Sequence, residues 1–182
     1  MNIIFYCDEY PPAKAGGIGS TTKIVAEALV KKGHNVFVVG NIEYSLDVAN
    51  FSIINGVKIH RLKCFEYLKY IPNNLERYLT FVLKKLGIIS YLSFKRILKT
   101  EEFITKLIEK EKIDLIEIVD YMLLLNKLNK KINFKEFSIP TVMRVHGSSS
   151  FIEYHQGKIN PLTLTNDRKN FRRANFFLPV SN

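Results

Sequence analysis

A glycine cluster near the start of the chain separates a short apolar run from a helical pattern. Residues 2–6 are predicted to form a buried strand, and residues 23–33 have the spacing of a helix that ends at glycine. The cluster consists of Gly16, Gly17, Ile18 and Gly19. Bare backbone before a helix lets N–H groups and the helix dipole approach an anion such as phosphate. The alternative interpretation is a turn that binds nothing.

The spacing of the cluster excludes two common nucleotide sites. The pattern Gly17-x-Gly19-x-x-Thr22 lacks the third glycine or alanine of the dinucleotide fingerprint, and a long segment separates it from the preceding strand. No Lys-Ser or Lys-Thr pair follows at P-loop spacing. The sequence therefore predicts a longer loop that contributes backbone N–H groups to a phosphate site.

Further polar residues follow two predicted strands. His146 and Gly147 come directly after strand 141–145, while Glu117 and Asp120 lie at the end of strand 115–119. Ligands bind beyond the carboxyl ends of strands in open α/β sheets, so these segments are expected to converge with the glycine cluster. His146 could donate to a substrate oxygen, Gly147 allows close approach, and the carboxylates could act as acid, base or hydroxyl acceptor. Alternatively, the histidine is a satisfied loop residue and the carboxylates form turns.

The same chemistry is open to several other side chains, with weaker support. Asp8 and Glu9 follow the first strand, and His155 stands beside Glu153 and Tyr154. Because parallel strands end at one edge, Asp8 and Glu9 share the roles considered for the other carboxylates. His155 is a candidate for lining the same cleft.

Five short apolar runs predict the framework that positions these residues. They are 3–6, 36–39, 115–119, 141–145 and 176–180. Nearly continuous β-branched runs are typical of parallel strands covered on both faces. Asn55-Gly56 within alternating apolar residues predicts a hairpin near a sheet edge. The predicted class is α/β: one Rossmann-like domain over 1–182, with a mostly parallel sheet and helices on both faces.

The helices and loops are predicted from spacing and caps. The first helix is expected to begin near Ser20 or Thr21, and its apolar face is expected to carry Ile24, Val25, Ala28 and Leu29. A further helical stretch is expected over 122–129 and a short basic helix over 167–173. The Asn- and Lys-rich segment 129–138 is expected to be a surface loop.

Residues 72–112 form a basic amphipathic pattern that Gly87 interrupts. Such a helical pair could lie on an anionic membrane surface, or it could cover a sheet face with a solvated outer side. No apolar run reaches the roughly 18 residues that a bilayer-spanning helix requires.

Composition limits the partners. The chain of 182 residues carries a formal net charge of +10, which favours an anionic small molecule, nucleic acid or acidic lipid surface. Nucleic acid is not expected, because the aromatic residues occupy predicted core positions rather than one basic surface.

Cys7 and Cys64 provide neither a disulfide framework nor metal-ligand spacing, and Cys7 is expected to be a buried apolar residue. The first residues resemble no export signal, so a cytoplasmic protein is expected.

Taken together, the motifs resemble those of the N-terminal half of a glycosyltransferase family 4 enzyme with the GT-B fold. The matching motifs, in order, are Tyr10-Pro11-Pro12, Gly16-Gly17-Ile18-Gly19, Gly33-His34, Asp114-Leu115-Ile116, His146-Gly147 and the segment 173–181 that ends in Val-Ser. The resemblance covers the whole chain, and the first two motifs are its most specific part.

The resemblance implies a retaining, hexosyltransferase-type enzyme that moves a sugar from a nucleotide-sugar donor to a glycan or lipid-linked acceptor, as in polysaccharide biosynthesis. It implies that this domain mainly holds the acceptor, that the glycine cluster approaches the donor diphosphate, and that His146 contacts the transferred sugar. No metal or other cofactor is implied.

The resemblance also implies a second domain that binds most of the donor and that this chain does not contain. The chain alone is therefore expected to transfer no sugar. The alternative function is a free-standing α/β module that binds a phosphorylated or lipid-linked ligand without catalysis. The same glycine cluster could contact that ligand.

Overall fold

The computed structural model describes residues 1–12, 16–43, 48–64, 78, 81–121, 129–158 and 160–179. Its strands are β1 (Asn2–Tyr6), β2 (Asn35–Glu43), β3 (Phe51–Ile54), β4 (Val57–Cys64), β5 (Leu115–Val119), β6 (Thr141–Val145) and β7 (Phe176–Pro179). Its helices are α1 (Gly17–Lys31), α2 (Ile88–Glu111), α3 (Ser149–His155) and α4 (Pro161–Arg172).

The strands form one seven-stranded sheet in the order β3-β4-β2-β1-β5-β6-β7. Every neighbouring pair is parallel except the β3–β4 hairpin. The chain moves outward from β1 in one direction through β2 and β4, then returns to place β5, β6 and β7 on the other side. This topology confirms the predicted Rossmann-like α/β class.

The β3–β4 hairpin lies at the sheet edge, as its turn residues predict. Asn55 and Gly56 adopt positive φ angles of 50° and 80°, which suits the two central positions of a tight hairpin turn. In β4, Val57, Ile59 and Arg61 are all buried, and β4 also pairs in parallel with β2. The hairpin therefore extends the parallel sheet rather than standing apart from it.

Two apolar cores lie on opposite faces of the sheet. One contains Ile3, Phe5 and Val38 with Ala26 of α1. The other contains Ile4 and Ile116 with Ile97 and Ile104 of α2. Alternating residues of the central strands point to the two faces, so these strands are buried on both sides and are apolar almost throughout.

Helix α1 begins at Gly17, three or more residues before the predicted start. Its N-cap is Gly16, so Ser20 and Thr21 lie inside the helix, where the Thr21 hydroxyl donates back to the Gly17 carbonyl at 2.9 Å. Its buried face includes Thr22 and Ala26, and Val25 and Leu29 pack against the same core, as predicted. The prediction was wrong for Ile24, which is 70% exposed, and for Ala28, which is also exposed.

Helix α2 covers the sheet with its apolar side. Ile97, Ile104, Leu107 and Ile108 pack into the core, and Gly87 at φ 73° precedes the helix. These side chains are buried against the sheet, which favours the sheet-covering interpretation for the described part of 72–112. Within the described ranges, no helix has the length and apolar content needed to cross a bilayer.

Two expectations for the second half differ from the structure. Segment 129–138 is irregular but not merely superficial, since Ile132 is fully buried in the core. Helix α4 begins at Pro161 because the Asn160 side chain caps it, accepting from the backbone N–H groups of Leu162 and Thr163. Helix α3 was not predicted, and the helix expected over 122–129 lies almost wholly outside the described residues.

A buried ion pair ties α2 to the end of α4. Arg173 and Glu101 are both at least 95% buried, and Arg173 Nη1 lies 2.6 Å from Glu101 Oε1. The Arg173 guanidinium also lies 4.7 Å from the centre of the Phe134 ring. Removing one partner would leave the other charge buried without compensation.

We predict that Glu101→Ala lowers the free energy of unfolding by about 3–5 kcal/mol, the range for breaking a buried pair. Urea denaturation followed by circular dichroism measures the change. Glu102→Ala is the matched control, because the adjacent Glu102 pairs with Lys106 at the exposed surface and its loss should barely move the midpoint. Equal effects of the two substitutions would contradict the assigned role of the pair.

Candidate functional site

An open cleft of about 620 Å³ lies beyond the carboxyl ends of the central strands. It is lined by Glu9, Gly16, Gly17, Ile18, Thr21, Tyr121, His146, Gly147 and Ile152. The fold thus brings together three residues of the glycine cluster with His146 and Gly147, which are about 130 residues away in sequence. Gly19, Glu117 and Asp120 are not among the lining residues.

The glycine cluster is the first turn of α1 rather than a loop before it. Gly16 is the N-cap residue, and among the described residues no side chain caps this end. The N–H groups of the first four positions of a helix have no partner within the helix. At α1 these positions are Gly16, Gly17, Ile18 and Gly19. Of these residues, Gly16, Gly17 and Ile18 line the cleft, so it has backbone N–H groups at the positive end of a 15-residue helix.

The three glycines serve different purposes. A Cβ on Gly16 would overlap the Glu9 carboxylate, and a Cβ on Gly19 would overlap the Glu9 backbone carbonyl. A Cβ on Gly17 would meet no atom within 4 Å. Gly19 is thus required by packing against backbone, a side chain at position 16 would displace the Glu9 carboxylate, and the bare surface at Gly17 faces the open cleft.

The segment that carries Glu9 is held from two neighbouring strands. The Asp8 carboxylate accepts from the Asn41 backbone N–H at 2.7 Å. Arg61 donates to the Tyr10 and Pro11 carbonyls at 3.3 and 2.9 Å. These contacts hold the described residues 8–11 after β1, which include Glu9.

Asp120 shapes the opposite wall of the cleft. Its carboxylate is fully buried and accepts from the backbone N–H groups of His146 at 3.0 Å and Gly147 at 2.9 Å. Gly147 has φ 134°, a conformation that strongly favours glycine. Asp120 therefore holds the turn after β6 from the end of β5, and its place behind the cleft wall makes it a positioning residue.

The electrostatics of His146 favour the neutral ring. Burial lowers the pKa of His146 below its ordinary value of 6.5, with the Arg144 charge acting in the same direction, while Asp120 and Glu9 oppose the shift. No described residue is hydrogen-bonded to its Nε2, which is shielded from solvent. His146 lines the cleft, and a neutral imidazole carries one ring N–H that can donate and one ring nitrogen that can accept.

The structure does not bring Glu117 to the cleft. Its carboxylate lies 2.8 Å from Arg144 Nη2 on a buried face of the sheet, and both side chains are less than 10% exposed. Burial raises the pKa of Glu117 and the Arg144 charge opposes the rise. Glu117 on β5 and Arg144 on β6 thus occupy two buried strand positions that are usually apolar.

Glu9 is the main addition to the predicted set. Its place after the first strand made it a candidate, but the direction of its side chain depends on contacts from β2 and β4. Ile152 could not be found from sequence, because α3 itself was not predicted.

Cys7 is buried, which raises the pKa of its thiol to about 11 and removes it as a nucleophile. The described residues contain no cluster suited to a metal ion.

We predict that His146 titrates below 6.5 and is neutral at pH 7, because burial lowers its pKa in the folded state. A pKa lowered on folding means that His146 favours the folded state at neutral pH and that this contribution disappears as the pH falls through the folded pKa. Proton NMR of the ring C–H signals against pH measures the value.

The Asp120 charge raises the pKa of His146 and so partly offsets the lowering by burial. Asp120→Asn removes this charge, and the His146 pKa should therefore fall further. Glu102→Gln is the control, because Glu102 is exposed on α2 outside the residues that line the cleft. A His146 pKa above 6.5, or an upward shift in Asp120→Asn, would contradict this electrostatic assignment.

Comparison with known proteins shows similarity in sequence and in fold. No model of a protein family matches the chain. An uncharacterized glycosyltransferase of Methanocaldococcus jannaschii is 33% identical over 96 residues, which cover 49% of this chain and 22% of the relative. A sucrose-phosphate synthase of Thermosynechococcus elongatus has a similar fold with a TM-score of 0.61 at 18% identity, covering 97% of this chain and 41% of the synthase. The chain is thus similar to a glycosyltransferase in sequence over about half its length, and it has the fold of one part of a larger synthase.

Proposed function

We propose that this chain is the acceptor-binding half of a retaining glycosyltransferase that uses a nucleotide-sugar donor. The observation that carries the proposal is the joint placement of the uncapped N-terminus of α1 and the His146–Gly147 turn in one cleft. Glycosyl transfer needs stabilisation of a departing diphosphate and contacts to sugar hydroxyls. The two walls of the cleft provide one of these each.

The donor diphosphate is assigned to the glycine cluster. When the bond to the sugar breaks, negative charge grows on the departing diphosphate oxygens. Backbone N–H groups aimed at that position stabilise the charge without having to reorganise during the reaction. The bare backbone at Gly17 leaves room for a phosphate at the positive end of α1.

The transferred sugar is assigned to the side of the cleft that carries His146. A neutral imidazole exchanges hydrogen bonds with hydroxyl groups without adding a charge to the cleft. Gly147 lets a ring approach the backbone closely, and Asp120 keeps the turn in place through two hydrogen bonds. The Glu9 carboxylate between the two walls can accept hydroxyl hydrogens from either sugar.

The acceptor is proposed to be a glycan or a lipid-linked glycan, and the rest of the donor is proposed to bind a second domain. The chain spans 22% of the archaeal relative and 41% of the synthase, so each of those proteins contains substantial further sequence. The cleft is open on one side, as expected for one wall of an interdomain site. We accordingly expect nucleotide binding by this chain, but no sugar transfer.

We predict that Gly17→Val weakens binding of nucleoside diphosphates at least tenfold without lowering the melting temperature. An added Cβ at this position meets no atom within 4 Å, so we expect the valine side chain to extend into the cleft and crowd the ligand rather than the protein. Chemical-shift titration of the full chain with UDP, GDP and ADP measures binding, and thermal denaturation measures stability.

Ala28→Val is the matched control, because it adds bulk to the same helix at an exposed position. Unchanged nucleotide affinity in Gly17→Val, or no binding of any of the three nucleotides by the parent chain, would refute the diphosphate assignment. Steady turnover of a nucleotide-sugar by the parent chain would refute the need for a second domain.

A further inference from the structure

A second cavity, of about 380 Å³, lies between α3 and α4 beside the cleft. It is lined by Ser150, Phe151, Tyr154, Asn160 and Leu164. We infer that this groove is the subsite for a neutral pyranose ring of the acceptor. The inference rests on the proposed function and goes beyond it by naming the class of acceptor group and the residues that receive it.

The groove is continuous with the cleft through α3. Ile152 lines the cleft, and its neighbour Phe151 lines the groove. The Phe151 ring also lies near Gly147, where an added Cβ would be 3.8 Å from it. A molecule seated in the groove would therefore extend directly toward His146, where the proposed transfer takes place.

The lining of the groove matches the chemistry of a sugar ring. Phe151 and Tyr154 are 57% and 66% exposed, so broad aromatic surface is open to a ligand. A pyranose has apolar C–H faces and a rim of hydroxyl groups. Aromatic faces suit the former. The groove opens to solvent, so the hydroxyl groups of a ring stacked on these faces can stay in contact with water.

The composition of the groove disfavours a charged occupant. None of the five residues that line it is Asp, Glu, Lys, Arg or His, so these residues offer no charged group to a phosphate or an ammonium. A neutral sugar ring meets this limit.

Hydrogen bonds between the two helices hold the groove in shape. The Ser150 backbone N–H donates to Asp167 at 2.7 Å, and the Thr163 hydroxyl donates to Glu153 at 3.2 Å. Asp167 is buried, so its bond to α3 is protected from water. The aromatic side chains consequently project from walls that are fixed before a ligand arrives, which lowers the cost of binding.

The inference is tested by chemical-shift titration of the full chain with the methyl pyranosides of glucose, galactose, mannose and N-acetylglucosamine. At least one should bind and shift the backbone signals of α3 and the start of α4. Tyr154→Ala should weaken that binding at least fivefold, whereas Tyr154→Phe should retain most of it because the ring remains. Phe176→Ala is the matched control: Phe176 is an aromatic residue 61% exposed on the edge strand β7 and should have no effect.

Absence of binding by all four pyranosides, or equal weakening in Tyr154→Ala and Phe176→Ala, would overturn the inference. So would shifts at α3 with 1-octanol but with no pyranoside, since that result would assign the groove to an apolar chain. Titrating the parent chain with UDP, GDP and ADP in parallel separates this test from the proposed function. Nucleotide binding without pyranoside binding removes only the subsite, and the reverse result removes only the diphosphate assignment.

Discussion

The cleft depends on the close contact between the Glu9 backbone and the first turn of α1. The Glu9 carbonyl occupies the space that any side chain at position 19 would need, and the Glu9 carboxylate occupies the space beside Gly16. Gly40 permits a similar approach of the Cys7 carbonyl to β2. These backbone contacts let the segment after β1 pass close to both α1 and β2, and they leave the helix N-terminus open toward the turn after β6.

Hydrogen bonds from neighbouring strands then preserve this arrangement. Arg61 of β4 binds two carbonyl groups of the segment after β1, and Asp120 binds two N–H groups of the turn after β6. Each side chain is buried and is shielded from competing water. The two walls of the cleft are thus positioned by residues behind them, which leaves the side chains in front available for a ligand.

The four acidic residues at the centre of the molecule show why residue type alone does not identify a site. Glu101 and Glu117 form buried ion pairs on opposite faces of the sheet, Asp120 holds a turn, and Glu9 lines the cleft. In sequence, Glu117 and Asp120 look alike, since both lie near the end of one strand. Their roles diverge because alternate strand residues point to opposite faces, and because Arg144 lies beside Glu117 on the neighbouring strand.

The sequence by itself determined the parallel sheet, the β3–β4 hairpin and the convergence of the glycine cluster with His146 and Gly147. These features follow from local signals: continuous apolar runs, the Asn55-Gly56 turn, and the rule that parallel strands end at one edge. It misplaced the start of α1, because glycine is a poor helix former and the capping propensities of Ser20 and Thr21 suggested a later start. Tertiary contacts instead supported a first turn made largely of glycine.

Only the tertiary structure decided which polar residues face the cleft and where the aromatic groove lies. Partners such as Glu101 and Arg173 are 72 residues apart, and nothing in the local pattern of either residue indicates the other. Helix α3 is short and exposes most of its apolar side chains, so it lacks the periodic buried face by which sequence patterns identify a helix. Its contacts with α4 place Phe151 and Tyr154 beside the cleft, and those contacts exist only once the chain has folded.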